Sequence, residues 1–167
     1  MKRLLVSVLV LALFILGSTA AWGLNSPEVI PGEGSLTLRY ANDYGVIAGG
    51  SYGFADKLGV TADIGEDDFT RVSLKYGVSP TLALEAGLFG SGSSRAFLGI
   101  NGAAVISQDL KGILQLDLSV EDNELTSLYE LGLILNLDDQ LDLRGGFIGE
   151  LGDESTTNLQ LGLGYRF

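Results

Sequence analysis

From residue 35 to residue 167 the chain alternates apolar and polar side chains almost without interruption, and this period of two most limits what it can fold into. Successive side chains of a strand point to opposite faces, whereas a helix groups them three and four apart. Ten such segments run approximately 35–41, 46–54, 58–65, 69–78, 82–90, 95–106, 111–120, 125–137, 141–150 and 157–167. None sustains a 3.6-residue period, so no helix is expected across this stretch. Gly is frequent, at 24 of 167 residues, and Pro is scarce, at 3. Pro27, Pro31 and Pro80 all fall outside these segments, in linker or turn, where a missing strand donor costs nothing.

The connections come in two alternating kinds. "FADKL", "VSPTL", "ISQDL" and "LDDQL" are short and end on a leucine that restarts the alternation. "NDYG", "GEDD", "SGSS", "VEDNE" and "LGDEST" are mostly more acidic and more varied. With no long crossover, nearest-neighbour hairpins in an all-β, antiparallel up-and-down arrangement are the simplest topology. Ten strands put both ends on one side. Eight is the alternative count, if weak segments merge, the breaks at 42–45 and 90–94 being the weakest.

Ahead of the strands stands "MKRLLVSVLVLALFILGSTAAWG", two early cations, an apolar run from Leu4 to Gly17 and then small residues. This layout predicts a secretory signal peptide over 1–23. The other reading, a retained anchor, needs about 20 apolar residues, more than the run supplies. A polar linker over 24–34 on the periplasmic side and a barrel domain over 35–167 complete the organisation. There is no cysteine, hence no disulfide and no lipid-modified cysteine. Loss of Lys2 and Arg3 with the leader takes 10 cations to 8 against 21 acids, a net charge of −13. That charge excludes nucleic acid as a partner.

Period two does not say whether the apolar face points in or out. One face carries Leu36, Leu38, Tyr40, Leu74, Leu84, Leu116, Leu133 and their like. The other carries Arg39, Asp63, Arg71, Lys75, Glu85, Asp117, Glu130, Asp142, Arg144, Glu150 and Arg166, interspersed with Gly, Ser and Thr. A soluble secreted sandwich or barrel would bury the first face. A membrane barrel would turn it to lipid and line its lumen with the second. The leader, the dominance of Leu over Val and Ile, the aromatics near strand ends (Tyr40, Phe54, Tyr76, Tyr165, Phe167) and the Gly-rich polar face favour lipid. The expected fold is therefore a transmembrane β-barrel.

The segment "LQLGLGYRF" places Leu159, Leu161, Leu163, Tyr165 and Phe167 on one face. It resembles the final strand of outer-membrane β-barrel proteins, which characteristically ends on Phe after alternating apolar residues. "YGFADKLGV" and "YGVSPTLAL" resemble the short periplasmic turns of small barrels in that class. The resemblance implies that the last strand is an address for the barrel-assembly machinery. It also implies that outer-membrane lipid of a Gram-negative-type bacterium is the surrounding medium, with the acidic loops outside.

No His and no Cys leave the chain without the usual general base, thiol nucleophile or commonest metal ligands, so no enzyme and no cofactor is expected. The small barrel enzymes of the class, lipid-modifying acyltransferases, deacylases and omptin-type proteases, rely on a catalytic His. Counting outward from Asp67, Pro80 and Asp139 predicts three facing pairs: Asp63 with Arg71, Lys75 with Glu85, and Asn136 with Asp142. Five cations against six acids on the inner face suggest a charge-balanced, closed lumen serving a structural or interaction protein. A small porin-like passive channel is the second reading, because ten strands enclose more than the eight whose side chains just fill a barrel. The loop acids Asp43, Glu66, Asp67, Asp68, Glu121, Asp122, Glu124, Asp153 and Glu154 suit a solvated rim, with divalent-cation binding as the sharper alternative.

Overall fold

The computed structural model describes residues 26–66, 69–91, 94–121, 124–151 and 155–167. The leader, the first two linker residues and the loop acids Asp67, Asp68, Asp122, Asp153 and Glu154 lie outside the described residues, as do the side chains of Glu121 and Glu124. Ten strands follow one another: β1 (Gly34–Ala41), β2 (Gly45–Ala55), β3 (Leu58–Gly65), β4 (Phe69–Ser79), β5 (Leu82–Ser91), β6 (Arg95–Val105), β7 (Leu110–Glu121), β8 (Glu124–Asn136), β9 (Leu141–Leu151) and β10 (Asn158–Arg166). Among the described residues there is no helix.

Each strand pairs antiparallel with its sequence neighbours, and β1 pairs with β10, which closes the barrel. The seam runs in register from Ser35↔Arg166 to Ala41↔Gln160. It is extended by two backbone bonds between Gly34 and Phe167, at 3.0 and 3.1 Å. Closure leaves no edge, so each strand finds a partner on both sides, as a span through hydrocarbon requires. The short turns are tight: Ala55 pairs with Leu58 across two residues, with Lys57 in the left-handed region at φ 61°. Ser79 pairs with Leu82 across Pro80 and Thr81.

The pleat decides which face is which. Leu74, Leu98 and Leu161 stand 59, 70 and 59 % exposed, while Asp63, Arg71 and Asp117 are fully buried. The apolar face is outside and the charges are inside, the reverse of a soluble barrel. This arrangement is that of a transmembrane β-barrel. Tyr52, Phe54, Tyr76, Tyr165 and Phe167 gather toward the turn end, where the Tyr52 and Phe167 rings stack with centroids 6.5 Å apart. Tyr40 and Tyr129 stand toward the loop end, so aromatics flank the leucine band on both sides.

The segment read as a linker departs from that reading. β1 begins at Gly34, and residues 26–33 fold against the inner wall at the turn end instead of trailing away. Gly32 N donates to Gly53 O at 2.8 Å and Gly53 N to Glu33 O at 2.9 Å. Val29 lies over Gly59 and Gly77, where an added Cβ would meet it at 3.3 and 3.4 Å. Glycines on β2, β3 and β4 leave the wall bare enough for a second layer of chain to lie on it.

Candidate functional site

The barrel interior gathers the candidate residues in three layers. On the loop side seven of the strands contribute an inward apolar residue near their ends. Ala41, Ile47, Phe69, Phe89, Phe97, Leu128 and Ile148 form one buried cluster. The Phe89 and Phe97 rings meet edge to face at 5.9 Å. Tyr44, on the β1–β2 loop, packs on Phe69 with centroids 5.0 Å apart and donates its hydroxyl to Glu150 Oε1 at 3.4 Å. Burial and the Glu150 charge push the Tyr44 phenol up to about 12. Glu150 also faces Arg95 at 3.6 Å, and the Arg95 guanidinium stacks over Phe89. Glu150 thus belongs to this outer cap and is partly exposed, away from the central charges.

The middle layer is an ion-pair network with Arg71 at its hub. Its guanidinium reaches Glu85 at 2.6 Å, Asp117 at 2.7 Å and Asp63 at 3.5 Å, and lies 5.0 Å from the centre of the Phe97 ring. Arg39 reaches Asp63 at 2.8 Å and Glu130 at 2.7 Å, and donates to Gln160 at 3.0 Å. Ser73 donates to Glu85 at 2.8 Å and exchanges a short hydrogen bond with Thr61. Gln115 donates to Asp117 at 3.0 Å, and Asn101 donates to Gln115 at 3.3 Å. From β1, β3 and β4 to β5, β7 and β8, the inner face is one connected set of charged and amide groups.

The network works because glycines make room for it. An added Cβ at Gly49 would overlap the Asp63 carboxylate, and one at Gly99 the Asp117 carboxylate. At Gly162 it would lie 2.9 Å from Arg39 Cγ. Each buried charge leans across the empty Cα of a neighbouring strand.

Toward the turns the third layer holds Lys75, Asp142, Arg144 and Arg166. Lys75 lies 3.5 Å from Glu85 and donates to the Ser26 carbonyl at 2.8 Å. Arg144 grips Asp142 through Nε and Nη2. Arg166 lies 3.8 Å from the same carboxylate, partly exposed at the mouth, and donates to Asn136 at 3.0 Å. Beside them, Ile113 and Ile134 form a small apolar patch with Ala103.

All three facing pairs read from the turns occur in register: Asp63↔Arg71, Lys75↔Glu85 and Asn136↔Asp142. Side-chain geometry redistributes the bonds, since Arg71 holds Glu85 and Asp117 more closely than its directly facing Asp63. Sequence reasoning missed Arg95, the Ser26 contact, the role of Tyr44 and the whole apolar cap. The cap uses about one inward residue at the end of each contributing strand, which leaves no periodic trace. Of the final strand, Leu159, Leu161 and Leu163 face outward, with Tyr165 half-buried and Phe167 exposed at the turn-side rim. Of the loop acids with described side chains, Asp43 is exposed and Glu66 lies against Gly45. Among the described residues no cluster of three or more potential ligands gathers to hold a metal ion.

No protein-family model and no curated protein matches the chain. Solved structures similar to it include a de novo designed transmembrane β-barrel, at 17 % identity over 84 % of this chain and 99 % of that one, TM-score 0.44. The KdgM porin is similar at 14 % identity over 79 % and 98 %, TM-score 0.43. Ail, the attachment invasion locus protein of Yersinia pestis, is similar at 16 % over 83 % and 100 %, TM-score 0.37. At these scores the likenesses carry no argument of their own, and the barrel assignment rests on the strand pairing.

Proposed function

We propose that the protein is an outer-membrane β-barrel of a Gram-negative-type bacterium, with its lumen closed by its own side chains. Its role on this reading is structural or interactive. The outward leucine band meets outer-membrane lipid, the short turns face the periplasm, and the strand from Leu159 to Phe167 is the face offered to the barrel-assembly machinery. The observation that carries the closed lumen is where the inward glycines lead. Gly49, Gly99 and Gly162 open onto Asp63, Asp117 and Arg39, and Gly59 and Gly77 onto Val29, so the width a tenth strand adds is taken up by protein. The reading is non-enzymatic, in keeping with a chain that has neither His nor Cys.

A passive channel is the second reading, and the cavity of about 90 Å3 at the turn-side mouth favours it. Planar-bilayer conductance of the chain, refolded in detergent and checked for a heat-dependent gel shift, separates the two. A folded barrel without discrete openings supports the closed lumen. Reproducible single-channel steps overturn it.

A further inference from the structure

On the turn side the interior widens into a cavity of about 90 Å3, bounded along one wall by residues 26–30. Lys75, Lys111, Arg144 and Arg166 line it from four different strands. In a chain of net charge −11 that convergence runs against the overall balance. The partners of these cations are unequal. Lys75 is engaged by Glu85 and the Ser26 carbonyl. Arg144 takes up both oxygens of Asp142. Arg166 shares that same carboxylate at 3.8 Å, and its Nε makes no hydrogen bond. Lys111, partly buried and inward-facing on β7, has neither a hydrogen bond nor an ion pair among the described residues. One buried carboxylate, Asp142, therefore serves two guanidiniums. Glu28 and Glu33 reach the cavity from the exposed face of the 26–33 segment and pair with none of the cations. Nearby on the rim, the Asp138 carboxyl is held below the usual range first by the amides of Leu141 and Gln140, both at 2.7 Å, and to a smaller extent by the Arg166 charge, so its own hydrogen bonds are spent on the turn.

We propose that this vestibule is an oxyanion-binding site, taking a phosphate- or carboxylate-sized group between Lys111 and Arg166. A guanidinium and an ammonium that lack full neutralisation supply charge-assisted donors for such a group. The volume is several times what one water needs, room enough for a small oxyanion. The same chemistry arrives either as a free anion or as the phosphate of a lipid headgroup at the rim. The site stands whether or not the lumen conducts, since it lies on the turn side of the central network.

The test is a titration of inorganic phosphate into the full chain refolded in non-ionic detergent, at constant ionic strength set with chloride. The readouts are 31P line width and the thermal midpoint. The expected result is saturable broadening with a rising midpoint. Lys111→Ala and Arg166→Gln should each weaken binding about tenfold, while Lys57→Gln on the exposed turn leaves it unchanged. The heat-dependent gel shift verifies that every variant is folded. A non-saturating response, or one equal in Lys111→Ala and the parent chain, overturns the site. Competition by short-chain phosphatidylglycerol below its micellar concentration then separates the sources. Displacement of phosphate identifies a headgroup as ligand, and its absence identifies a soluble anion.

Discussion

Removing Arg71 is the perturbation for which a plugged and an open interior differ most. Its side chain is fully buried and sits among Asp63, Glu85 and Asp117, so Arg71→Ala leaves three carboxylates facing one another without their shared counter-charge. Removing one partner of a buried pair costs about 3–5 kcal/mol, because the remaining charge is stranded away from water. For a chain of this size about 1 kcal/mol shifts the thermal midpoint by about 2–4 °C, so the expected loss is about 6–20 °C. Were Arg71 lining a water-filled pore, the same pairs would be worth at most about 1 kcal/mol and the shift would stay under about 4 °C. The assay is the temperature at which the heat-dependent gel shift is half complete, backed by urea titration in lipid vesicles. Arg71→Lys should recover only part of the loss, since an ammonium offers a single point charge where the guanidinium reaches three acids. Combining Arg71→Met with Asp117→Asn should recover more, because Glu85 keeps Lys75 and Asp63 keeps Arg39, so no remaining charge is stranded. A midpoint for Arg71→Ala within about 4 °C of the parent refutes the buried-hub reasoning.

Three further outcomes follow from the same geometry. Gly99→Ala pushes a methyl into the Asp117 carboxylate and should cost about 1–3 kcal/mol, whereas Gly102→Ala, whose Cβ would face outward with nothing nearer than 3.9 Å, should be close to neutral; urea midpoints of the two variants check the contrast. The chain has no native cysteine, so single probes are clean: Pro27→Cys, buried under the turn-side mouth, should react slowly with a maleimide while Glu28→Cys, exposed beside it, reacts fast. Equal rates would mean that residues 26–33 do not stay in the mouth. Tyr44 supplies a pH dependence: its phenol is raised to about 12 in the folded barrel against about 10 when unfolded, so its contribution is intact below pH 10 and is lost as pH climbs through 10 to 12. Tyr44→Phe should flatten that part of an alkaline unfolding curve, and an identical curve would remove Tyr44 from the cap.

The strands were legible because an apolar face against lipid needs an unbroken period of two, and a single slip would put a charge in hydrocarbon. The pairing of Asp63 with Arg71 and Lys75 with Glu85 was legible because both connections are short, so counting outward from their centres lands on the register, which between β4 and β5 includes a bulge at Gly77–Ser79. What escaped the sequence is whatever depends on closure. Arg39 on β1 meets Glu130 on β8, 91 residues away, only because the sheet bends round on itself. The apolar cap escaped for the same reason: Ile47, Phe69, Phe89, Phe97, Leu128 and Ile148 look like scattered exceptions on a polar face until closure brings the strand ends together. The 26–33 segment read as a linker because its prolines and polar residues carry no periodicity. Its seat is defined by missing side chains at Gly53, Gly59 and Gly77 on other strands.

Closure also explains why the interior has this composition. Outside, leucine meets lipid tails as apolar as itself, so the leucine band holds the barrel in the membrane without pulling its strands together. Cohesion must come from the backbone ladder and from the inner face. The seam between β1 and β10 joins the two ends of the sheet, and Arg39 sits on it. Arg39 grips Asp63 on one side of the seam and Glu130 on the other, while bonding Gln160 on β10 itself. A single apolar side chain of that size could not bind strands on both sides of the seam at fixed distances. Two guanidiniums, Arg39 and Arg71, joined through Asp63, tie the seam to the far wall as far as Asp117 on β7. On this view the buried charges specify how the sheet closes, and the glycines opposite them are what let the charges reach.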